Sequence, residues 1–329
     1  MQNVLANKTV FLIVDSDLDG VSVRIIAEHY LPHLVKSYKI VHSRTTTCDE
    51  DLKKYSIDTE IVIFADLVPS FEKYQELCQK HIVLIVDHHQ TTRDTYGEQP
   101  LYFFDLQRCS TKIFYDLVSE GTRIHPGVHD YAELVDVYDR FQTKHPKFID
   151  AKGLNYLLQH YAAKYRVSSD IFNEKNRMKG YTGYVEHQLK KFNKFVPFFF
   201  RDNEQVIVDT ELEKETEEYE KAMEKAIERV DDSGNSYIYF EASRRLSMIG
   251  NRVLEAKPHI KYIVAHSKFF DNSSEDRKMS LRSRQGEDGI DVSKIAEKYG
   301  GGGHRPASGF VIKDLSFYEK LKKGEVHLL

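Results

Sequence analysis

The sequence predicts an α/β protein: a doubly wound, mainly parallel-sheet domain joined by a helical linker to a smaller α/β domain. Three observations predict it. Apolar runs of five or six residues, VFLIV (10–14), EIVIFA (60–65) and HIVLIV (81–86), alternate with helix-length segments over the first 150 residues, as buried parallel strands do. A charge-dense segment, TELEKETEEYEKAMEKAIERV (210–230), reads as a solvated connecting helix that the turn-rich run DDSGNS stops. A second alternation of strand-like and helical segments begins at Tyr237. The expected domains are therefore 1–205, a linker at 206–234, and 235–329.

Each of the first three strands ends in acids or histidines. VFLIV precedes Asp15-Ser16-Asp17-Leu18-Asp19-Gly20, EIVIFA precedes Asp66, and HIVLIV precedes Asp87-His88-His89. In open α/β sheets ligands bind at the carboxyl ends of the strands, so these side chains converge where chemistry is expected. One such aspartate alone reads as a helix cap or a turn. Three strands ending this way do not, because clustered carboxylates repel one another unless cations neutralise them. Taken as extended, the segment puts Asp15, Asp17 and Asp19 on one side, with Gly20 allowing a turn into the helix that follows. Asp66 is the natural bridging carboxylate and His88 supplies a nitrogen. Mixed oxygen and nitrogen ligands point to a pair of Mn²⁺ ions rather than Mg²⁺.

Helical segments are expected at 21–34, 70–80 and 110–119, and the aromatic-rich stretch 151–205, with Tyr156, Tyr161, Tyr165, Phe192, Phe195 and Phe198 to Phe200, is expected to complete the first core. In the second domain the reading is strand 236–242, a helix near 247–256, strands 261–267 and 278–284, and a helix near 292–299. Gly300 to Gly303 and His304 come next. Four glycines let a backbone approach a ligand with its N–H groups free for phosphate or carboxylate, and Arg282, Arg284 and Arg305 make the surroundings basic.

Composition excludes several classes. The chain has 329 residues, 30% of them charged, mean hydropathy −0.51, and no apolar stretch near the roughly 20 residues of a membrane span. No signal-peptide pattern follows Met1, so a cytoplasmic location is expected. Cys48, Cys78 and Cys109 are odd in number and lack a Cys-x-x-Cys, which indicates reduced thiols. A net charge of −4 argues against a surface built for duplex nucleic acid.

The segments DSDLDG, ADLVPS, Asp87-His88-His89, LVDVYDRF and GGGGHRPASGF together resemble the successive motifs of the DHH phosphoesterase superfamily with its DHH-associated C-terminal domain. The D-L-D-G and V-D-V-Y-D forms resemble its nanoRNase/oligoribonuclease branch. The resemblance implies that Asp17, Asp19, Asp66, His88 and Asp136 hold two Mn²⁺ ions, with Mg²⁺ or Co²⁺ as substitutes. Asp19 and Asp66 lie nearest the bridge and His89 contacts the scissile phosphate. It further implies substrate binding by Arg282, Gly301, Gly302, Gly303 and His304. Two departures stand out. Many members carry a histidine ligand where this chain has Ile13, so Asp15 is expected to take that place, and Asp139 is an alternative to Asp136.

The function expected is hydrolysis of short oligonucleotides or linear dinucleotides to 5′-mononucleotides, with a second domain capping the cleft and with homodimerisation compatible. Hydrolysis of a cyclic dinucleotide or oligonucleotide, RecJ-like single-strand exonuclease action and exopolyphosphatase action are the enzymatic alternatives. A catalytically inactive accessory module is the non-enzymatic one, opposed by the filled acidic positions.

Overall fold

Strands that are apolar along their whole length need cover on both faces, and alternating helices supply it in the first part of the chain. In the computed structural model the elements run α1 (Gln2–Leu5), β1 (Thr9–Val14), α2 (Leu18–Tyr30), β2 (Ser37–His42), α3 (Cys48–Leu52), β3 (Ile61–Ala65) and α4 (Phe71–Cys78). They continue with β4 (Ile82–Asp87), α5 (Gln90–Tyr96), β5 (Tyr102–Phe104), α6 (Ser110–Ser119), α7 (Pro126–Asp139), α8 (Phe148–Lys164) and α9 (Glu174–Phe192). The structure describes residues 1–97, 101–164, 174–268, 276–284 and 289–328, without the side chains of 174–177 and 304. Tyr165 lies outside the described residues.

The five strands pair in parallel in the order β2-β1-β3-β4-β5. Phe11, Ile13, Phe64 and Ile85 face one side, where they pack with Leu52, Leu77 and Tyr96 from the helices after β2, β3 and β4. On the other face α2 and α6 lie against the sheet, and α2 packs in turn on α6, α7 and α9. The chain leaves β1 toward β2 on one side and returns to β3 on the other. That reversal makes the carboxyl ends of β1 and β3 the topological switch point of the sheet.

The chain divides into compact units at 1–208 and 209–329, within α10 (Asp202–Met223). The linker expectation needs correction, because the helix stops at Met223 and β6 (Ile227–Val230) pairs antiparallel with β7 (Ser236–Ala242). Residues 231–235 are thus a hairpin turn, organised by Asp231 accepting from the amides of Ser233 and Asn235. Nor is the end of α10 wholly solvated, for Tyr219, Ala222 and Met223 pack on the second sheet.

The remaining elements are α11 (Leu246–Ala256), β8 (Tyr262–Ser267), β9 (Arg277–Ser283), α12 (Val292–Lys298), β10 (Gly302–His304), β11 (Ala307–Ile312) and α13 (Leu315–Lys323). The sheet order is β10-β11-β9-β8-β7-β6, parallel between β7 and β8 and antiparallel elsewhere. Ile249, Val253 and Leu254 of α11 cover one face, and Ile295, Tyr318 and Leu321 of α12 and α13 cover the other.

Candidate metal centre

The loop after β1 is built tightly. Asp15 turns its carboxylate onto the amide of Ser16, while His42 Nδ1 meets the Asp15 carbonyl at 3.0 Å and Tyr181 donates to the Ser16 carbonyl at 2.7 Å. Asp17 caps α2 by accepting from the Gly20 amide at 3.0 Å. A Cβ on Gly20 would lie 2.4 Å from the Asp15 carbonyl oxygen, so only glycine allows this approach. Asp19 therefore sits in the first helical turn and not on an extended segment, which corrects the expected local geometry. Its carboxylate accepts from the Ser110 and Thr111 amides at 2.8 and 2.7 Å, where the start of α6 favours negative charge. Asp66 takes the left-handed conformation with φ +65°, a cost in free energy that marks functional positions.

His88 lies among acids drawn from separate elements. Its Nε2 is 3.4 Å from Asp139 Oδ2, 3.5 Å from Asp66 Oδ1 and 3.9 Å from Asp19 Oδ2. Ligand atoms of Asp66, Asp87, His88 and His89 lie within 4.8 Å of one another, as do those of Asp19, His88 and Asp139. His89 Nδ1 bonds Asp87 Oδ1 at 2.7 Å, which fixes the ring. The two acids of VDVYD separate cleanly. Asp136 accepts at Oδ1 from the Cys109 amide at 2.6 Å and at Oδ2 from Gln142 and Arg140 at 3.3 and 3.5 Å. Asp139, at the end of α7, faces His88, and its buried Oδ2 has no hydrogen-bond partner among the described residues.

Electrostatics follow from this crowding. Burial and the neighbouring Asp17 charge push the Asp15 carboxyl up to about 7. Burial, with Asp19 as the main charged neighbour, also raises Asp17, Asp66 and Asp139. His88 is lowered, chiefly by burial, so its ring is neutral and able to ligate. Burial opposes protonation of His89, yet the Asp87 bond and charge raise it. Carboxylates that resist ionisation, an unpartnered carboxylate oxygen and a neutral imidazole are the donor set that divalent cations complete.

No family model matches the chain. Oligoribonuclease NrnB of Bacillus subtilis strain 168 is 27% identical over 314 residues, which covers 91% of this chain and 72% of that protein. This similarity supports the resemblance to the DHH phosphoesterase superfamily. Among solved structures of similar fold, the pGpG-specific phosphodiesterase PggH of Vibrio cholerae superposes with a TM-score of 0.59 at 14% identity, covering 96% of this chain and 97% of that one. The exonuclease RecJ bound to manganese gives 0.55 at 15%, covering 98% and 90%.

In the second unit the glycine run has structural tasks. Gly300, with φ +72°, closes α12, and the amides of Gly300 and Gly301 donate to the carbonyls of Glu297 and Ala296. A Cβ on Gly301 would lie 2.2 Å from the Gly309 carbonyl oxygen, and Gly303 has φ +142°. The expectation of free N–H groups is therefore corrected at Gly300 and Gly301, whereas Gly302 is exposed and lies opposite Gly309 in the β10–β11 ladder. Arg282 donates to Ser247 Oγ and to the Leu281 carbonyl at 2.7 Å. The His304 side chain lies outside the described residues.

Some contributors had no separate role in the sequence reading. Asp87 was visible within the triplet, but its bond to His89 depends on the fold. Ser110 and Thr111 reach Asp19 across more than 90 residues, a contact with no linear signal.

Proposed function

We propose that the protein is a divalent-metal phosphodiesterase that hydrolyses short oligonucleotides or linear dinucleotides to 5′-mononucleotides, with Mn²⁺ preferred. One observation carries the reading: His88 converges with Asp19, Asp66 and Asp139 at the switch point of a parallel sheet. The similarity to NrnB along 91% of the chain supports the short-oligonucleotide class. A net charge of −4 supports it as well, since long strands gain affinity from many neutralised phosphates.

In this reading Asp15, Asp17, Asp19, Asp66, His88 and Asp139 hold two ions, and Asp136 is a positioning residue for α6. Divalent ions in such a site supply an activated water and neutralise charge on the phosphodiester. The chain's own residues do the rest. The α6 amides hold Asp19 in place, and the left-handed backbone aims Asp66 into the cluster. Asp87 orients His89 and favours its protonated form, which suits it to bind a scissile phosphate oxygen. In the second unit Arg282, Gly302 and His304 are proposed substrate contacts, with Gly301 and Gly303 shaping the hairpin.

Product chromatography tests this. Linear dinucleotides should yield two 5′-mononucleotides with Mn²⁺ and nothing in excess EDTA. Opening of cyclic dinucleotides alone, or release of phosphate from polyphosphate, would replace the reading.

A further inference from the structure

Beside the acid–histidine cluster, the first unit carries a recess that the reading above does not use. It has a volume of about 610 Å³, within the roughly 300–1,000 Å³ of small-molecule sites. Arg93, Tyr102, Phe104, Leu106 and Gln107 line it.

Its place in the fold ties it to the cluster. Arg93 lies one helical turn beyond His89, with its amide bonded to the His89 carbonyl at 3.3 Å. On the neighbouring edge strand, the Asp105 amide reaches the Asp87 carbonyl at 3.4 Å, so Phe104 and Leu106 flank a residue paired with the DHH triplet. The recess therefore lies between α5 and the edge strand β5, beside the strand that ends in Asp87.

The lining chemistry is specific. The Arg93 guanidinium lies 5.4 Å from the centroid of the Phe104 ring, and Tyr102 packs on that ring at 5.5 Å. Among the described residues Arg93 has no carboxylate partner. The acid of the lining, Asp105, is engaged by Arg108 at 2.7 Å and by the Gln107 amide at 2.7 Å. Leu106 is 44% exposed, an apolar surface at the rim of a polar cluster. A planar cation with no carboxylate partner among the described residues, an aromatic platform and an exposed aliphatic side chain match a nucleotide, whose phosphate takes the cation and whose base takes the flat apolar surface.

We infer that this recess seats the nucleotide adjoining the scissile phosphodiester, with Arg93 on a phosphate or base face and Phe104 and Leu106 against the base. The inference rests on the phosphodiesterase reading for its place in the reaction. It makes the first unit itself a determinant of why a dinucleotide is held in preference to a generic diester. Base preference at this seat is weak, because stacking tolerates every base.

The test uses the full chain with Arg93→Met and Leu106→Asp. For a linear dinucleotide, KM should rise ~10-fold with kcat within about threefold, as expected for lost charge-assisted and stacking contacts. The loss on bis-p-nitrophenyl phosphate, which brings no base, should be several-fold smaller. Binding of a 5′-mononucleotide to the metal-free protein, followed by calorimetry, should weaken in parallel in both variants. Equal losses on both diesters would overturn the inference and assign these residues to the cluster or the fold. So would an unchanged KM and mononucleotide affinity. A wild-type protein that binds the mononucleotide at this recess but cleaves no dinucleotide would defeat the phosphodiesterase reading and leave the binding site standing.

Discussion

Replacing each acid of VDVYD separately distinguishes a ligand from a scaffold residue. Asp136→Asn weakens a charged, 2.6 Å bond to the buried Cys109 amide that begins α6, and hydrogen bonds to charged groups are worth about 1.5–3 kcal/mol. The expected result is a loss of about 1–2 kcal/mol in urea unfolding of the metal-free protein, with a moderate decline in turnover. Asp139→Asn should behave in the opposite way. Burial and the Asp19 and Asp17 charges hold the Asp139 carboxyl well above its ordinary range, and its Oδ2 has no hydrogen-bond partner among the described residues. Removing that charge should leave the metal-free protein equally or more stable. It should also abolish most of the Mn²⁺-induced stabilisation and cut kcat at least ~100-fold, since a two-metal site acts as a unit. Urea curves with and without Mn²⁺, alongside turnover, separate the two cases. If Asp136→Asn loses the metal response while Asp139→Asn keeps it, the geometric assignment is wrong.

Other outcomes follow from the same structure. Asp15 binds a proton more tightly when folded, with its carboxyl raised from about 3.8 to about 7, so the metal-free protein should lose stability as pH rises from 4 to 7. At roughly 1.4 kcal/mol per unit the loss from this group is at most about 4 kcal/mol, and saturating Mn²⁺ should flatten or reverse the trend in thermal melts. Gly20→Ala would drive a methyl into the Asp15 backbone and should cost about 1–3 kcal/mol while displacing the DSDLDG loop, read as lower Tm and weaker Mn²⁺ affinity. In the second unit, His266, Lys322, Lys268 and Tyr318 surround Glu241 and hold its carboxyl well below the usual range. Glu241→Gln should therefore lower stability at pH 7 by about 1–3 kcal/mol in urea unfolding without changing turnover on bis-p-nitrophenyl phosphate by more than about twofold.

The parallel sheet was legible because β1, β3 and β4 carry continuous apolar runs, a pattern that few other environments permit, whereas β2, SYKIVH with its exposed first half, carries no such signal. The site was legible for the same reason: acids placed directly after such strands have one end of the sheet in common. Local phase was harder to read. Asp19 read as part of an extended segment, but only Asp17 is extended, as the cap that accepts from Gly20, and the helix has begun by Asp19. What sets Asp136 apart from Asp139 is an amide 27 residues before Asp136 and the turn of helix between the two acids. Ile227–Val230 follows a charge-rich helix without a break, and only pairing with β7 makes it a strand. The glycines after α12 read as a ligand loop, while close backbone packing explains Gly301 and the end of the helix explains Gly300.

The most direct test of the central claim is competition between substrate lengths. An equimolar mixture of a linear dinucleotide, a pentanucleotide and a ~20-mer single strand, incubated with Mn²⁺ and sampled by chromatography, yields relative kcat/KM values in one reaction. The two short substrates should disappear first, each giving 5′-mononucleotides, with the 20-mer largely intact, because few phosphates beyond the site find compensating charge. Faster, processive loss of the 20-mer would contradict the account.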